Sequence, residues 1–194
     1  MATISKNPPL DVKRLSQPPA QAVSLDDNLL KLDSRLKQVK TLVDQGDFQR
    51  AFDSVPNQSS DVEVINCRAV CLLRLGKFAQ AIPPLRSIAL NTSTFHLRTE
   101  VPEHIKINYA IALFFGGEAA GGLDALTDIK REDDPQVKMI RGRAKAWVTS
   151  MSWLRRLDWF LNRIAPKHSP TPPAEPMGYF VWELPGAVRS SGDA

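Results

Sequence analysis

Cys67 and Cys71 stand four residues apart in an otherwise apolar run. On a helix that spacing puts both thiols on one face, which is half of a tetrahedral metal site. The other half is hard to find. His96, His104 and His168 fall in a loop, at a helix start and in a linker, and no His-x-x-x-His, Cys-x-x-Cys or Glu-x-x-His spacing occurs. The pair is better read as two small residues where helices pack closely, since free cysteine is among the most buried residue types. The glycine-rich run Gly116–Gly122 follows an apolar helix rather than a strand and lacks the Lys-Ser/Thr of a phosphate loop, so it reads as a hairpin turn. There is no nucleophile elbow, and no set of residues assembles acid, base and oxyanion donors. The expectation is a chain without catalysis, cofactor or metal.

Charge offers a second kind of chemistry. Between Lys138 and Lys167 there are eight basic residues and one acid, Asp158, against a net charge of +4 for the whole chain. Arg141, Arg143, Lys145, Arg155, Arg156 and Arg163 form a candidate basic patch for nucleic acid or another polyanion. The charges spread around a helix and no nucleic-acid motif accompanies them, so a solvated helix face is the simpler reading.

These residues must be positioned by helices. Apolar residues make up 43% of the 194 residues and charged ones 24%, ordinary values for a globular chain. No sustained alternation or hairpin dipeptide signals a strand. Residues 1–24 carry Pro8, Pro9, Pro18 and Pro19 and read as a disordered arm, with no apolar core of a secretory signal. No stretch approaches the roughly 20 apolar residues of a spanning helix, so a cytoplasmic protein without a membrane partner is expected. Helical periodicity begins near Ser24, where Ser24 and Asp27 resemble a capping box. Ser60 with Glu63 is a clearer one, and Pro102 and Pro135 suit first helical positions, the latter capped by Asp134. The helical domain spans 25–165. Its last part, 135–164, reads as a capping helix or helix pair with Trp147, Met151, Leu154, Leu161 and Ile164 on one face, widened by Trp153, Leu157 and Phe160, a face broad enough to be buried on two sides. A proline-rich linker and an apolar tail, Met177–Leu184, occupy 166–194.

Aligning the glycines exposes a repeat. Gly46-Asp47-Phe48-Gln49-Arg50-Ala51 matches Gly76-Lys77-Phe78-Ala79-Gln80-Ala81. Leu42 and Leu72 lie four residues before their glycine, and Val39 and Ala69 seven before. A looser copy surrounds Gly117, with Leu113 and Ala110 in the same offsets. The glycine ends one helix, the aromatic packs back between helices, and the small residue permits a close crossing. The spacings, thirty and then forty-one residues, are uneven; Pro56 stops one second helix, and Pro83-Pro84 predict a kink or late start in the next.

This pattern resembles the tetratricopeptide repeat over about Leu32 to Ile129, most closely in Val62–Ser93, where Ala69, Leu72, Gly76, Phe78, Ala81, Leu85 and Ile88 occupy motif positions. Ile65 replaces the family's early aromatic, Arg68-Ala69 its Leu-Gly pair and Ser93 its closing proline. The resemblance implies an all-α helical-repeat solenoid of about three hairpins plus a capping helix, and a non-catalytic protein-binding adaptor. It also implies a concave groove lined by inner-helix residues, here Asn66, Val70, Arg74, His104, Ile107, Ile111, Phe114 and Phe115. The family's Lys and Asn pattern for a terminal carboxylate is not evident. So apolar a lining suits an apolar strip, supplied by a partner protein or by the chain's own Tyr179–Leu184.

Overall fold

Gly46, Gly76 and Gly117 have φ of +76°, +72° and +103°, a left-handed region that costs an L-residue about 1–2 kcal/mol. Each ends a helix in the same way. The residue after each glycine donates its N–H to the leucine four before it: Asp47 to Leu42, Lys77 to Leu72 and Glu118 to Leu113, all at 2.9 Å. This is the hydrogen-bond closure that satisfies a helix's last carbonyls and turns the chain back.

The computed structural model describes residues 34–94, 96–162 and 170–184. The arm 1–24, the Ser24 capping box and Arg163 lie outside them. Among the described residues the fold is all-helical: α1 (Ser34–Asp44), α2 (Phe48–Ser54), α3 (Val62–Arg74), α4 (Phe78–Ala89), α5 (Glu103–Phe115), α6 (Ala119–Ala125), α7 (Pro135–Ser150) and α8 (Trp153–Asn162). The nearest thing to a strand there is an isolated bridge, Leu90 with Leu97. From α1 to α6 each helix packs on the next, α3 also meets α5, and α5 meets α7. None of these helices is long and apolar enough to cross a membrane.

The repeat positions are where helices touch. Val39, Ala69 and Ala110 on the first helices, and Ala51 and Ala81 on the second, are fully buried. The third copy puts Gly122 where the others have alanine. A Cβ there would lie 2.7 Å from the Phe114 backbone nitrogen, so this crossing is closer than alanine allows. The uneven glycine spacing also has a local cause. α4 has twelve residues where α2 has seven, and the loop 90–102 absorbs the remainder.

Three expectations shift. Asp61, rather than Ser60, caps α3, accepting from Glu63 N at 2.8 Å and Val64 N at 3.3 Å. Pro102 stands at the N-cap of α5, one residue before its first turn. α4 starts at Phe78 and carries Pro83 and Pro84 inside it. The carbonyls those prolines leave unpaired belong to Ala79 and Gln80, on the exposed side, where water can serve them. Asp134 caps α7 as expected from Pro135, accepting from Gln136 N at 2.9 Å and Val137 N at 3.4 Å.

The C-terminal face also differs. The chain leaves helical geometry at Met151 (ψ 146°) before α8 begins. The break resets the helix phase: Trp159 turns inward against Trp147 (5.3 Å between rings), which meets Phe114 at 6.3 Å. Trp153, Leu154, Leu157, Phe160 and Leu161, expected to be buried, are instead exposed.

Glycine substitutions separate these effects. Gly76→Ala has open space and loses about 1–2 kcal/mol from backbone strain alone. Gly122→Ala loses about 1–3 kcal/mol by collision with Phe114, despite alanine's better helix propensity. Gly142→Ala, within α7 and facing nothing, gains about 0.5–1 kcal/mol. Urea midpoints of the three variants check the order; a stabilising Gly122→Ala would contradict the close crossing.

Candidate functional site

α5 is buried around its whole circumference: every residue from His104 to Phe115 is buried, the polar His104, Lys106 and Asn108 among them. A helix of that kind needs cover on all sides. His104, Ile107, Ile111, Phe114 and Phe115, expected to line an open groove, are therefore interior residues. The helices α3, α4, α6 and α7 and the segment Met177–Glu183 leave them little or no access to solvent. Asn66 and Val70 on α3 are fully buried as well, and the Arg74 side chain is 11% exposed.

The segment meets α3, α5 and α7 through three side-chain amides, those of Asn66, Asn108 and Gln136. Gly178 donates its N–H to Gln136 Oε1 at 2.8 Å and accepts from Gln136 Nε2 at 3.4 Å. Tyr179 donates its N–H to Asn108 Oδ1 at 2.7 Å and accepts from Asn108 Nδ2 at 2.9 Å. Two successive main-chain units are thus each bracketed by one amide that donates and accepts. Asn108 spends its second hydrogen on Asn66 Oδ1 at 2.8 Å, and Asn66 reaches Tyr179 O at 3.4 Å. Behind them Glu63 accepts from Asn66 and lies 3.2 Å from His104 Nε2.

Side chains add a second layer of recognition. Arg74 donates to Gly178 O at 2.9 Å and pairs with Glu183 at 2.6 Å. Its guanidinium lies 5.6 Å from the Phe180 ring centre and 5.9 Å from that of Phe48. Burial pulls the Arg74 pKa below its ordinary value, against the attraction of Glu183. Phe180 stacks on Trp182 with ring centres 4.8 Å apart. Met177, Phe180 and Trp182 are buried, worth about 1.5–3 kcal/mol each. Ordering each residue of the segment costs about 1–2 kcal/mol. Apolar burial and ordering thus come near to cancelling, and the polar contacts decide whether the segment stays. Gly178 has φ +85°, and a Cβ there would lie 2.8 Å from Leu73 Cδ1. Only glycine brings the chain this close to α3.

Asn108, Gln136, Asp134 and Glu183 are site residues that the repeat pattern does not single out. A signal does exist. Asn66 and Asn108 each interrupt an apolar helical run, where asparagine is a poor helix former and must find partners.

The remaining candidates are placed elsewhere. Arg141, Arg143 and Lys145 on α7 and Arg155 and Arg156 on α8 are exposed. Cys67 and Cys71 are buried and free, and their hydrogen bond, with burial, pushes the Cys67 thiol pKa up. Among the described residues no group of three or more His, Cys, Asp or Glu could hold a metal. A cavity of 660 Å³ between α4, α5 and α6 is lined by Arg86, His96, Tyr109, Glu118 and Asp128. There Arg86 is already bonded to Tyr109 (3.2 Å) and Glu118 (2.8 Å).

The Tyr179 hydroxyl donates to Asp134 Oδ1 at 3.0 Å. Burial and the Asp134 carboxylate push the phenol pKa up to about 12, above the ordinary value of about 10. The folded form thus holds its proton where the unfolded chain has lost it. The stabilisation is complete below the ordinary value and falls as pH rises from 10 to about 12. Tyr179→Phe should remove this component. Measured by denaturant unfolding, the stability difference between wild type and variant should shrink over that range; a constant difference would contradict the Tyr179–Asp134 contact.

No protein-family model matches the chain, and comparisons with curated proteins and with solved structures find no match.

Proposed function

We propose that this chain is a non-catalytic protein-interaction module: a short array of about three tetratricopeptide-like hairpins with a capping helix pair. Its groove receives an aromatic peptide whose last residues, Val181–Glu183 in the chain's own segment, form a 3-10 turn. The recurring glycine closures and the small residues at the helix crossings support the repeat reading. The observation that carries the binding reading is the two-way pairing of Asn108 with the Tyr179 main chain, repeated by Gln136 on Gly178. Such pairing recognises main-chain groups rather than side chains, as a sheet edge does. Sequence preference comes from three further features: a glycine against α3, buried aromatics two residues apart, and an acid for Arg74. The chain's own segment supplies all three and holds the groove in cis. A partner protein carrying the same features competes for it.

The Arg74 Nε and Trp182 Nε1 groups are buried without a partner among the described residues, a cost of about 1–3 kcal/mol each. That imperfect fit favours exchange with a better-matched peptide. The test uses a fluorescent peptide with the sequence of residues 176–184. Gly178→Val with Phe180→Ser, made together in the full chain, empties the groove by collision and lost burial. Anisotropy should then report binding in trans at least about tenfold tighter than to wild type. Adding Asn108→Ala should abolish it. A double variant that keeps its helical circular dichroism yet ignores the peptide would contradict the reading.

A further inference from the structure

Trp153, Leu154, Leu157, Phe160 and Leu161 are 72%, 60%, 48%, 81% and 66% exposed. At about 100° per residue they fill one arc of α8 of roughly 120°. Trp159 is on the other side and anchors the helix to Trp147. The arc is therefore a continuous apolar strip of two aromatics and three leucines that no described residue covers. Strips of this kind mark an interaction surface.

The surroundings of the strip say what covers it. Lys138, Arg141, Arg143 and Lys145 on α7, with Arg155 and Arg156 on α8, are exposed, while Asp158 is the single acid of the two helices. Arg156 flanks the strip beside Phe160, its guanidinium bonded to Thr149 O (2.8 Å) and Met151 O (3.3 Å), which fixes α8 against the end of α7. A second copy of the chain would bring this basic field against itself, within the roughly 8–10 Å over which charges act in salt. A nucleic acid would meet the cations but leave three leucines in water. An anionic lipid surface uses both features: acyl chains take the Trp, Phe and Leu side chains, and headgroup phosphates take the basic ones.

We propose that α8, with the basic face of α7, is a peripheral docking surface for anionic membranes. A ten-residue helix is far too short to span a bilayer. Lying in the plane of the interface, it buries only its apolar arc. Trp153 and Phe160 enter the headgroup boundary and the arginines stay at phosphate level. The surface is independent of the peptide groove, which uses α3, α5 and the start of α7.

Vesicle co-sedimentation of the full chain tests this. Phosphatidylcholine vesicles are compared with vesicles in which about a third of the lipid is phosphatidylglycerol. Wild type should sediment about tenfold or more better with the anionic vesicles, with a blue shift in Trp fluorescence. Leu157→Ser with Phe160→Ser alters only exposed side chains, so circular dichroism should be unchanged while binding falls about tenfold or more. Arg143→Gln with Lys145→Gln should weaken it further at low salt. Failure of wild type to bind either vesicle overturns the proposal. So does a wild-type dimer that the serine variant converts to monomer without vesicle binding, which would assign the strip to a second copy. Equal binding of an oligonucleotide by wild type and serine variant, with no vesicle binding, would overturn it in favour of a polyanion site.

Discussion

A carboxamide sealed inside an apolar helical core must have its hydrogen bonds met, and Asn108 is such a group. It is fully buried on α5, and its oxygen and one of its hydrogens are met by the main chain of Tyr179. The oxygen has no other partner on the described helices. Without the segment, water would have to serve that acceptor and that donor, and the apolar side chains around them would lose their cover. The helices are therefore built around an occupant. The occupant at hand is the chain's own C-terminal segment, and any competitor must offer the same two main-chain groups in the same place.

That requirement fixes much else. α5 can be buried on every face because helices surround it and the segment closes the remaining side. α3 carries Asn66, Val70 and Arg74 one turn apart, so amide, packing surface and charge reach the segment in register. Asp134 serves twice, capping α7 and receiving the Tyr179 hydroxyl, so the helix start that holds Gln136 in place is itself tied to the segment. The hairpin glycines set the spacing between α3 and α5 on which the paired asparagines depend.

The all-helical fold is legible in the sequence because its signals are local. Gly46, Gly76 and Gly117, with leucine four residues before each, specify helix ends by backbone conformation alone. Asp134-Pro135 specifies a helix start by chemistry within three residues. The groove was only partly legible. Asn66, Val70 and Arg74 share one face of α3 by their four-residue spacing, whereas Asn108 and Gln136 acquire their roles through contacts with residues 42 or more positions away. The burial of Ile107, Ile111 and Phe114 depends on how α6 and α7 return over α5, which no local pattern encodes. The exposure of α8 escaped the pattern for a related reason. Two non-helical residues, Met151 and Ser152, rotate everything after them, and a periodicity count carried across the break assigns the wrong face.

The most direct measurement is hydrogen–deuterium exchange of the full chain, resolved at Gly178 and Tyr179. Both amides are donated to buried side-chain oxygens, on Gln136 and Asn108, and should exchange as slowly as the amides of α5. Asn108→Ala should release Tyr179 before the helices open. Exchange of Gly178 and Tyr179 at the rate of an unstructured peptide would contradict the docked segment, and with it the groove as the organising feature of the fold.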